Sequence, residues 1–387
     1  MSGVRGAGAA EGRPRSWAEI DLAAFRTNVE IIRSRSAHGC LLAVLKADAY
    51  GHGARTLASV ARTAGAVALG VGDSTEALEL RHAGLGAPIL ILGALVPSEI
   101  PLVVASGITP VVHSTGRLQD LEEEARRQDR ILPVHLKVDT GMGRLGMHPK
   151  VVPQAARAVV RSAHLRFEGL MSHLSGNAGD PGNRAQVRCF DLLMQELATV
   201  NLVPPQVHLR ATSGVLDTAL HSKSETLTRA GAALYGFSPD GERLPEGLQP
   251  VLTLRSQIVF LKDVEPGAPV GYGGRFRASR PTRLAVIPLG YDDGMPLGLG
   301  NGGEVLVHGR RAPIAGAVSM DYTTLDITDV PGARVGDTVT VIGADGASER
   351  ITVEEVARRA GTIPYAVLCG LGRRVVRIPT SEQVLAS

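Results

Sequence analysis

From Trp17 to Pro250 the chain repeats one local pattern, a short apolar run followed by an amphipathic stretch, and it does so eight times. The apolar runs are residues 41–45, 66–71, 89–92, 108–112, 134–138, 165–171, 207–209 and 228–235. Between them, segments 75–83, 115–128, 153–162 and 184–200 place apolar residues three and four apart, the spacing of a helix with one buried face. Ser74 and Ser114 stand where N-caps belong. Strands separated by helices pair in parallel, and eight such units build a (β/α)8 barrel, an α/β fold of about 250 residues. An open, doubly wound sheet has the same local pattern, because counting strands does not show closure.

After residue 250 the pattern changes. β-branched runs at 255–260, 283–287, 304–307, 323–327 and 338–342 are punctuated by Pro-Gly and Gly-Gly turns, which reads as all-β. A helix over 353–360 and a last strand over 375–378 close the region. The expected organisation is a tail over residues 1–15, a barrel over 16–248 and a mainly β domain over 249–387. The tail is rich in Gly, Ala and Arg without an apolar run, so it is expected to be disordered. A formal charge of +3 from 41 basic and 38 acidic residues gives no reason to expect nucleic acid. The three cysteines, Cys40, Cys189 and Cys369, are far apart and suggest neither a disulfide framework nor a metal site, which fits a reducing cytoplasm. The longest apolar stretch, 88–97, is far shorter than the roughly 20 residues that span a bilayer.

Four constellations could carry chemistry. Lys46 opens the octapeptide KADAYGHG at the end of an apolar strand, where a barrel builds its active site. Buried surface beside an amine disfavours its charged form and suits Schiff-base chemistry. Tyr50 adds a hydroxyl, and Gly51 and Gly53 allow a ligand to approach the backbone closely. A lysine that lays its stem on apolar surface and sends its amine to water fits the same position. The second constellation is KVDTGMGRLG over residues 137–146, a glycine-rich loop that holds Asp139 and Arg144 close together. An arginine there can bond a phenolate or carboxylate in fixed geometry; a structural loop with a surface ion pair is the plainer reading, above all for Asp139. The third is the pair of loops after strands seven and eight, Thr212-Ser213-Gly214 and Arg229-Ala230-Gly231-Ala232. In barrels this is the usual phosphate cradle, although Thr-Ser-Gly alone is only a helix cap. The fourth lies in the β region, where Tyr272 and Tyr291 stand among glycines and Met320 lies in Ser-Met-Asp. Without context these are ordinary turn residues.

Taken together and in this order, the four resemble the alanine racemase family. KADAYGHG resembles its pyridoxal phosphate (PLP) lysine motif, residues 17–21 its N-terminal strand, and residues 139–146 its second barrel motif; the likeness runs from about Arg15 to Arg377. The resemblance implies a cytoplasmic homodimer that interconverts L- and D-alanine through a PLP aldimine, for D-alanine supply to cell-wall peptidoglycan. Lys46 would carry the cofactor and serve one face of the substrate, and Tyr272 would serve the other face from the partner subunit. Arg229 would face the pyridine nitrogen, Arg144 the phenolic oxygen and the substrate, and His173 the ring. Tyr50, Ser213, Gly231 and Ala232 would hold the phosphate, while Met320 and Tyr291 would receive the substrate carboxylate in the partner's site. Lys137 matches a position that is carbamylated in some relatives, where the added negative charge orients Arg144.

The chain departs from the family at Thr212, where asparagine is usual, and at Arg373, where some relatives have a tyrosine. Ala317 and Leu297 stand where some relatives place arginines along the access corridor. These departures leave a racemase of broader or different specificity, for example for serine, beside the alanine reading. A PLP-binding regulatory protein resembles only the barrel part, and a related PLP decarboxylase does not account for Tyr272 and Ser-Met-Asp.

Overall fold

A computed structural model describes residues 14–380, apart from 178, 213–214, 216–219, 221, 239–243, 245 and 347–348. The expected tail therefore lies almost wholly outside the described residues, and Ser213 lies outside them too. The chain divides into two compact units, one of residues 21–251 and one that joins residues 252–379 to the N-terminal segment ending at Ile20.

The sequence reading starts the barrel at residue 16, but strand β1 (Ser16–Asp21) lies in the other sheet, paired antiparallel with Leu252–Gln257. Its side chains explain the choice. Ser16 Oγ meets Ser256 Oγ at 2.9 Å and donates to the Pro288 carbonyl, and Glu19 pairs with Arg255 at 2.9 Å.

The barrel strands are β2 (Leu41–Val44), β3 (Ala68–Val71), β4 (Ile89–Ile91), β5 (Thr109–Val112), β6 (Leu132–Lys137), β7 (Leu165–Met171), β8 (Gln206–His208) and β9 (Thr228–Ala230). They form one parallel sheet in the order β8-β7-β6-β5-β4-β3-β2-β9. The two ends of that order are joined by the Leu227 amide on the Val207 carbonyl, 3.1 Å, and the Arg229 amide on the Arg210 carbonyl, 3.3 Å. These bonds close the barrel and exclude the open sheet. Strands covered on both faces are mostly apolar, which is why they read as short apolar runs.

Helices follow the strands. Ser114 caps Thr115–Arg127 as expected, but the cap of Ser74–His82 is Asp73, which accepts from the Glu76 amide, while Ser74 Oγ donates to Glu99. The run 228–235 is not one strand: β9 ends at Ala230, and Ala232–Tyr235 forms a 3-10 turn. Gly231 redirects the chain, and Tyr235 then donates its hydroxyl proton to the Val44 carbonyl at 2.8 Å.

The second unit is mainly β. One sheet contains β1, Leu252–Gln257, Glu304–Val307, Arg310–Pro313, Thr338–Asp345 and Val376–Thr380, and another contains Phe260–Val264, Thr282–Ile287 and Thr323–Asp326. The run 255–260 thus belongs to two strands. At Ile258 and Val259 the chain passes from one sheet to the other, with bonds to Asp337 and Val286. Among the described residues no helix is long and apolar enough to cross a membrane. Cys40, Cys189 and Cys369 form no disulfide with one another.

Candidate active site

Lys46 stands two residues after the end of β2 and begins a turn of unusual hand. Ala47, Asp48, Ala49 and Tyr50 all have φ between 51° and 54°, one turn of left-handed helix built from residues other than glycine. Such residues cost roughly 1–2 kcal/mol each relative to the right-handed form, so the surroundings must hold them. Glu76 does much of this. Its two oxygens accept from the Ala47 amide at 2.5 Å and the Gly72 amide at 2.7 Å. Burial raises the Glu76 pKa, against the pull of those amide bonds. Asp48 accepts from the Ala54 amide at 2.7 Å, and the Tyr50 ring packs on Tyr235 at 4.8 Å. The left-handed turn sends Lys46 outward: its side chain is exposed, not sunk beside the apolar strand, and Nζ lies 5.8 Å from the Tyr50 ring centroid.

The loop after β6 is organised by Asp139, not by an ion pair. Asp139 Oδ1 accepts from the Gly141, Met142 and Gly143 amides at 2.9–3.2 Å, and Oδ2 from Gly143 at 2.9 Å. Burial pushes its pKa up, but the amide bonds and Lys137 more than offset this and leave it below the ordinary value. Gly146 is required here, since its φ is 131° and a Cβ would meet the Asp139 backbone. Arg144 is exposed, with its Nη2 3.6 Å from Met142 Sδ.

Lys137 and His173 mark where these elements converge. Lys137 is buried, and burial first, then Arg229, Arg144 and Lys46, lower its pKa to about 8, with Asp139 opposing. His173 is lowered to about 3 by burial and then by Arg229, Lys137, Arg144 and Lys46. Each group thus feels the charges of the others, so one cationic cluster sits at the strand ends of the barrel.

Arg229 is fully buried in β9. Nη1 donates to His208 Nδ1 at 3.0 Å and the His208 carbonyl at 2.9 Å. Nη2 reaches the Ser172 carbonyl at 2.7 Å, the Leu209 carbonyl at 2.9 Å and His173 Nδ1 at 3.2 Å. Every bond from the described residues uses Nη1 or Nη2, which leaves Nε–H as the donor for a ligand. Burial lowers the guanidinium pKa to about 10, with Glu225 opposing, so it stays charged at neutral pH. Beside it, the Gly231 amide donates to Thr212 Oγ1 at 3.1 Å, and a Cβ at Gly231 would overlap Tyr50 Oη. Tyr50, Thr212 and Gly231 therefore make one small polar cradle.

Tyr272, Tyr291 and Met320 belong to the second unit, and all are exposed, at 77%, 43% and 53%. The Tyr291 amide bonds the Ser319 carbonyl at 2.9 Å and the Asp292 amide bonds the Met320 carbonyl at 3.2 Å, which joins two of the three loops. Arg374, next to the Arg373 singled out by sequence, ties them further. It grips Asp293 with Nε and Nη2 at 2.7 and 3.0 Å and reaches Asp321 with Nη1 at 2.7 Å.

Glu76, His208, Ser172 and Arg374 were not identified from sequence. A lone histidine or serine inside a strand end has no motif around it. The alternation of a strand does carry one usable signal, since His135 lies two residues before Lys137 and so on the same face.

Residues 20–239 match the family described as alanine racemase, N-terminal domain, and residues 251–379 match alanine racemase, C-terminal domain. The chain is 41% identical over 362 residues to an alanine racemase of Syntrophobacter fumaroxidans, covering 92% of this chain and 96% of the relative. It is 38% identical over 377 residues to one of Symbiobacterium thermophilum, covering 96% and 99%. The crystal structure of alanine racemase from D-cycloserine-producing Streptomyces lavendulae superimposes with a TM-score of 0.89 at 33% identity, covering 96% and 98%. Alanine racemase from Bartonella henselae, with covalently bound pyridoxal phosphate, superimposes at 0.84 and 30% identity, covering 95% and 100%.

Proposed function

The chain belongs to the alanine racemase family, and from that premise we propose how its residues divide the work of interconverting L- and D-alanine. The residues suit PLP: an accessible lysine amine, a polar cradle beside it that no side chain at position 231 fills, and one guanidinium N–H left over. Tyr50, Gly231 and Ala232 would hold the phosphate, with Ser213 as the sequence resemblance implies; Arg144 would meet the phenolic oxygen and the substrate, and His173 would lie against the ring. When bound, the cofactor withdraws electrons from the substrate Cα and so makes its hydrogen acidic.

The observation that carries the reading is the buried Arg229. Its Nε–H would donate to the ring nitrogen of bound PLP and keep its own proton, because a guanidinium is a very weak acid. By withholding a proton there, Arg229 would limit how much charge the bound cofactor draws off, which would favour return of the proton to Cα over its transfer elsewhere. Racemisation then needs a proton carrier on each face. Lys46 Nζ moves the proton on one face, and the partner subunit's Tyr272 moves it on the other through Oη. The exposure of Tyr272, Tyr291 and Met320 supports a homodimer in which these loops complete the neighbour's site, with Met320 and Tyr291 at the substrate carboxylate. In this arrangement the barrel unit is the cofactor domain, the β unit reaches the partner, and D-alanine is made in the cytoplasm for peptidoglycan.

Lys137 is the carbamylated residue in this reading. With a pKa of about 8, about a tenth of its amine is neutral at pH 7. The neutral amine attacks carbon dioxide, forms the N–C bond and releases one proton. The negative carbamate then holds Arg144. Carbon-13 NMR under labelled carbon dioxide is expected to show one carbamate that Lys137→Met removes; an unmodified amine under saturating carbon dioxide refutes it.

The central test is loss of optical activity by the PLP-loaded protein across single-enantiomer amino acids. Alanine is expected to racemise fastest. Retained cofactor absorbance without racemisation of any amino acid would overturn the reading, and faster serine turnover would assign the specificity to the departures at Leu297, Ala317 and Arg373.

A further inference from the structure

Behind Arg229 three histidines share a line of hydrogen bonds, and one rule orients every proton in it: a guanidinium donates and never accepts. Arg229 points N–H groups at His208 Nδ1 and His173 Nδ1, so both of these atoms are bare acceptors and both rings carry their proton on Nε2. His208 Nε2–H lies 2.8 Å from His135 Nδ1. His135 is therefore also an acceptor at Nδ1 and protonated at Nε2, and that Nε2 is buried with no partner among the described residues. Burial, then the charge of Arg229, holds His135 down to about 3 and His208 well below its ordinary value. Both rings stay neutral, so the direction of the line does not change near neutral pH.

The sheet makes room for this histidine. A register shift between Val134 and His135 sets His135 opposite Gly169, and a Cβ on Gly169 would overlap the imidazole ring. Any other residue at position 169 would push the ring out of line with His208.

We propose that His135 is a positioning residue for the reaction: by accepting from His208 it fixes that ring in the one tautomer that accepts from Arg229, and so aims Arg229 Nε–H. His135 touches neither cofactor nor substrate. The aim at the ring nitrogen rests on the role given to Arg229 above, whereas the tautomer line concerns only the chain's own residues. Without an acceptor at position 135, the His208 Nε2–H is buried unpaired; this competes with the Arg229 contact, lets the Nδ1–H form appear, and so sets N–H against N–H at Arg229 Nη1 and loosens the guanidinium.

Long-range proton–nitrogen spectra of protein labelled with 15N-histidine, with and without PLP, read the tautomers directly. The wild type is expected to show His135, His173 and His208 protonated at Nε2 and bare at Nδ1. In His135→Leu, His208 is expected to populate the Nδ1–H form, with kcat down about tenfold, KM for alanine little changed and the cofactor absorbance band shifted in the holoenzyme. His135→Asn, which keeps an acceptor oxygen near the place of Nδ1, is expected to restore the His208 tautomer and most of kcat. A proton on His135 Nδ1 in the wild type overturns the proposal without any variant having to fold. So does a His135→Leu enzyme whose His208 stays protonated at Nε2, or whose tautomer changes while kcat does not. A wild type that has the stated tautomers but fails to bind PLP supports the line of histidines and overturns the cofactor reading instead.

Discussion

Replacement of Arg229 by lysine keeps a positive charge but changes the number of protons that charge can share. The guanidinium serves five acceptors: His208 Nδ1, the carbonyls of His208, Ser172 and Leu209, and His173 Nδ1. The guanidinium covers these five acceptors with four Nη protons, one of them shared, from two nitrogens; an ammonium has three protons on one nitrogen, so about two of these buried acceptors lose their donor. Each costs about 1–3 kcal/mol, which places the loss at roughly 2–6 kcal/mol. For a unit the size of the barrel, about 2–4 °C of thermal midpoint is lost per kcal/mol, so the midpoint is expected to fall by on the order of 5–20 °C. The assay is thermal and urea unfolding of the cofactor-free protein, which separates the barrel's own stability from that added by PLP. The slope of the urea transition should be unchanged, because the same surface is exposed. A midpoint within about 2 °C of wild type would refute the count, and would mean that the five bonds do not hold the strand ends together.

Tyr272→Phe is expected to keep PLP and to lower kcat/KM by about 10²–10⁴. Because the enantiomers are equal in free energy, both directions fall together. The asymmetry appears in solvent deuterium, which still enters the enantiomer served by Lys46; equal exchange into both would remove Tyr272 from the mechanism. Glu76→Ala takes the acceptor from the Ala47 and Gly72 amides and is expected to cost roughly 2–4 kcal/mol in urea unfolding, with faster PLP release; Glu76→Gln, which keeps one acceptor, should lose about half. Gly169→Ala crowds the His135 ring and is expected to destabilise by about 1–3 kcal/mol and to disturb the His208 nitrogen signals, and an unchanged spectrum would contradict the packing. Lys137 has a pKa of about 8 against an ordinary 10.5, so between those values the unfolded chain binds more protons and stability rises with pH. In carbon-dioxide-free buffer Lys137→Met should lack that rise, and equal pH slopes for variant and wild type would count against the shift.

Period and turn chemistry write much of this protein into its sequence. Barrel strands are covered on both faces, so each appears as an apolar run, and the helices between them announce themselves by three- and four-residue spacing. Arg144 and Tyr272 stand out because glycines flank them, and Lys46 and Arg229 because they stand at apolar strand ends with glycines downstream; glycine marks places where a backbone must turn sharply or approach a ligand. Other features have no local signature. The alternation of β1 suits either sheet, and only the pairing of Ser16 and Glu19 with Ser256 and Arg255 decides between them. Closure depends on two bonds between segments about twenty residues apart in sequence, at Val207 and Leu227 and at Arg210 and Arg229. The left-handed turn after Lys46 is contrary to the preference of every residue in it and persists because Glu76, from the first turn of the helix Ser74–His82, accepts the Ala47 amide.

The line from His135 through His208 to Arg229 shows the same division. Residue type and strand period say which side chains share the barrel interior, because alternation is a property of the chain itself. The tautomer of each ring depends on which nitrogen faces which neighbour, and that exists only once β6, β8 and β9 are wound around the same axis.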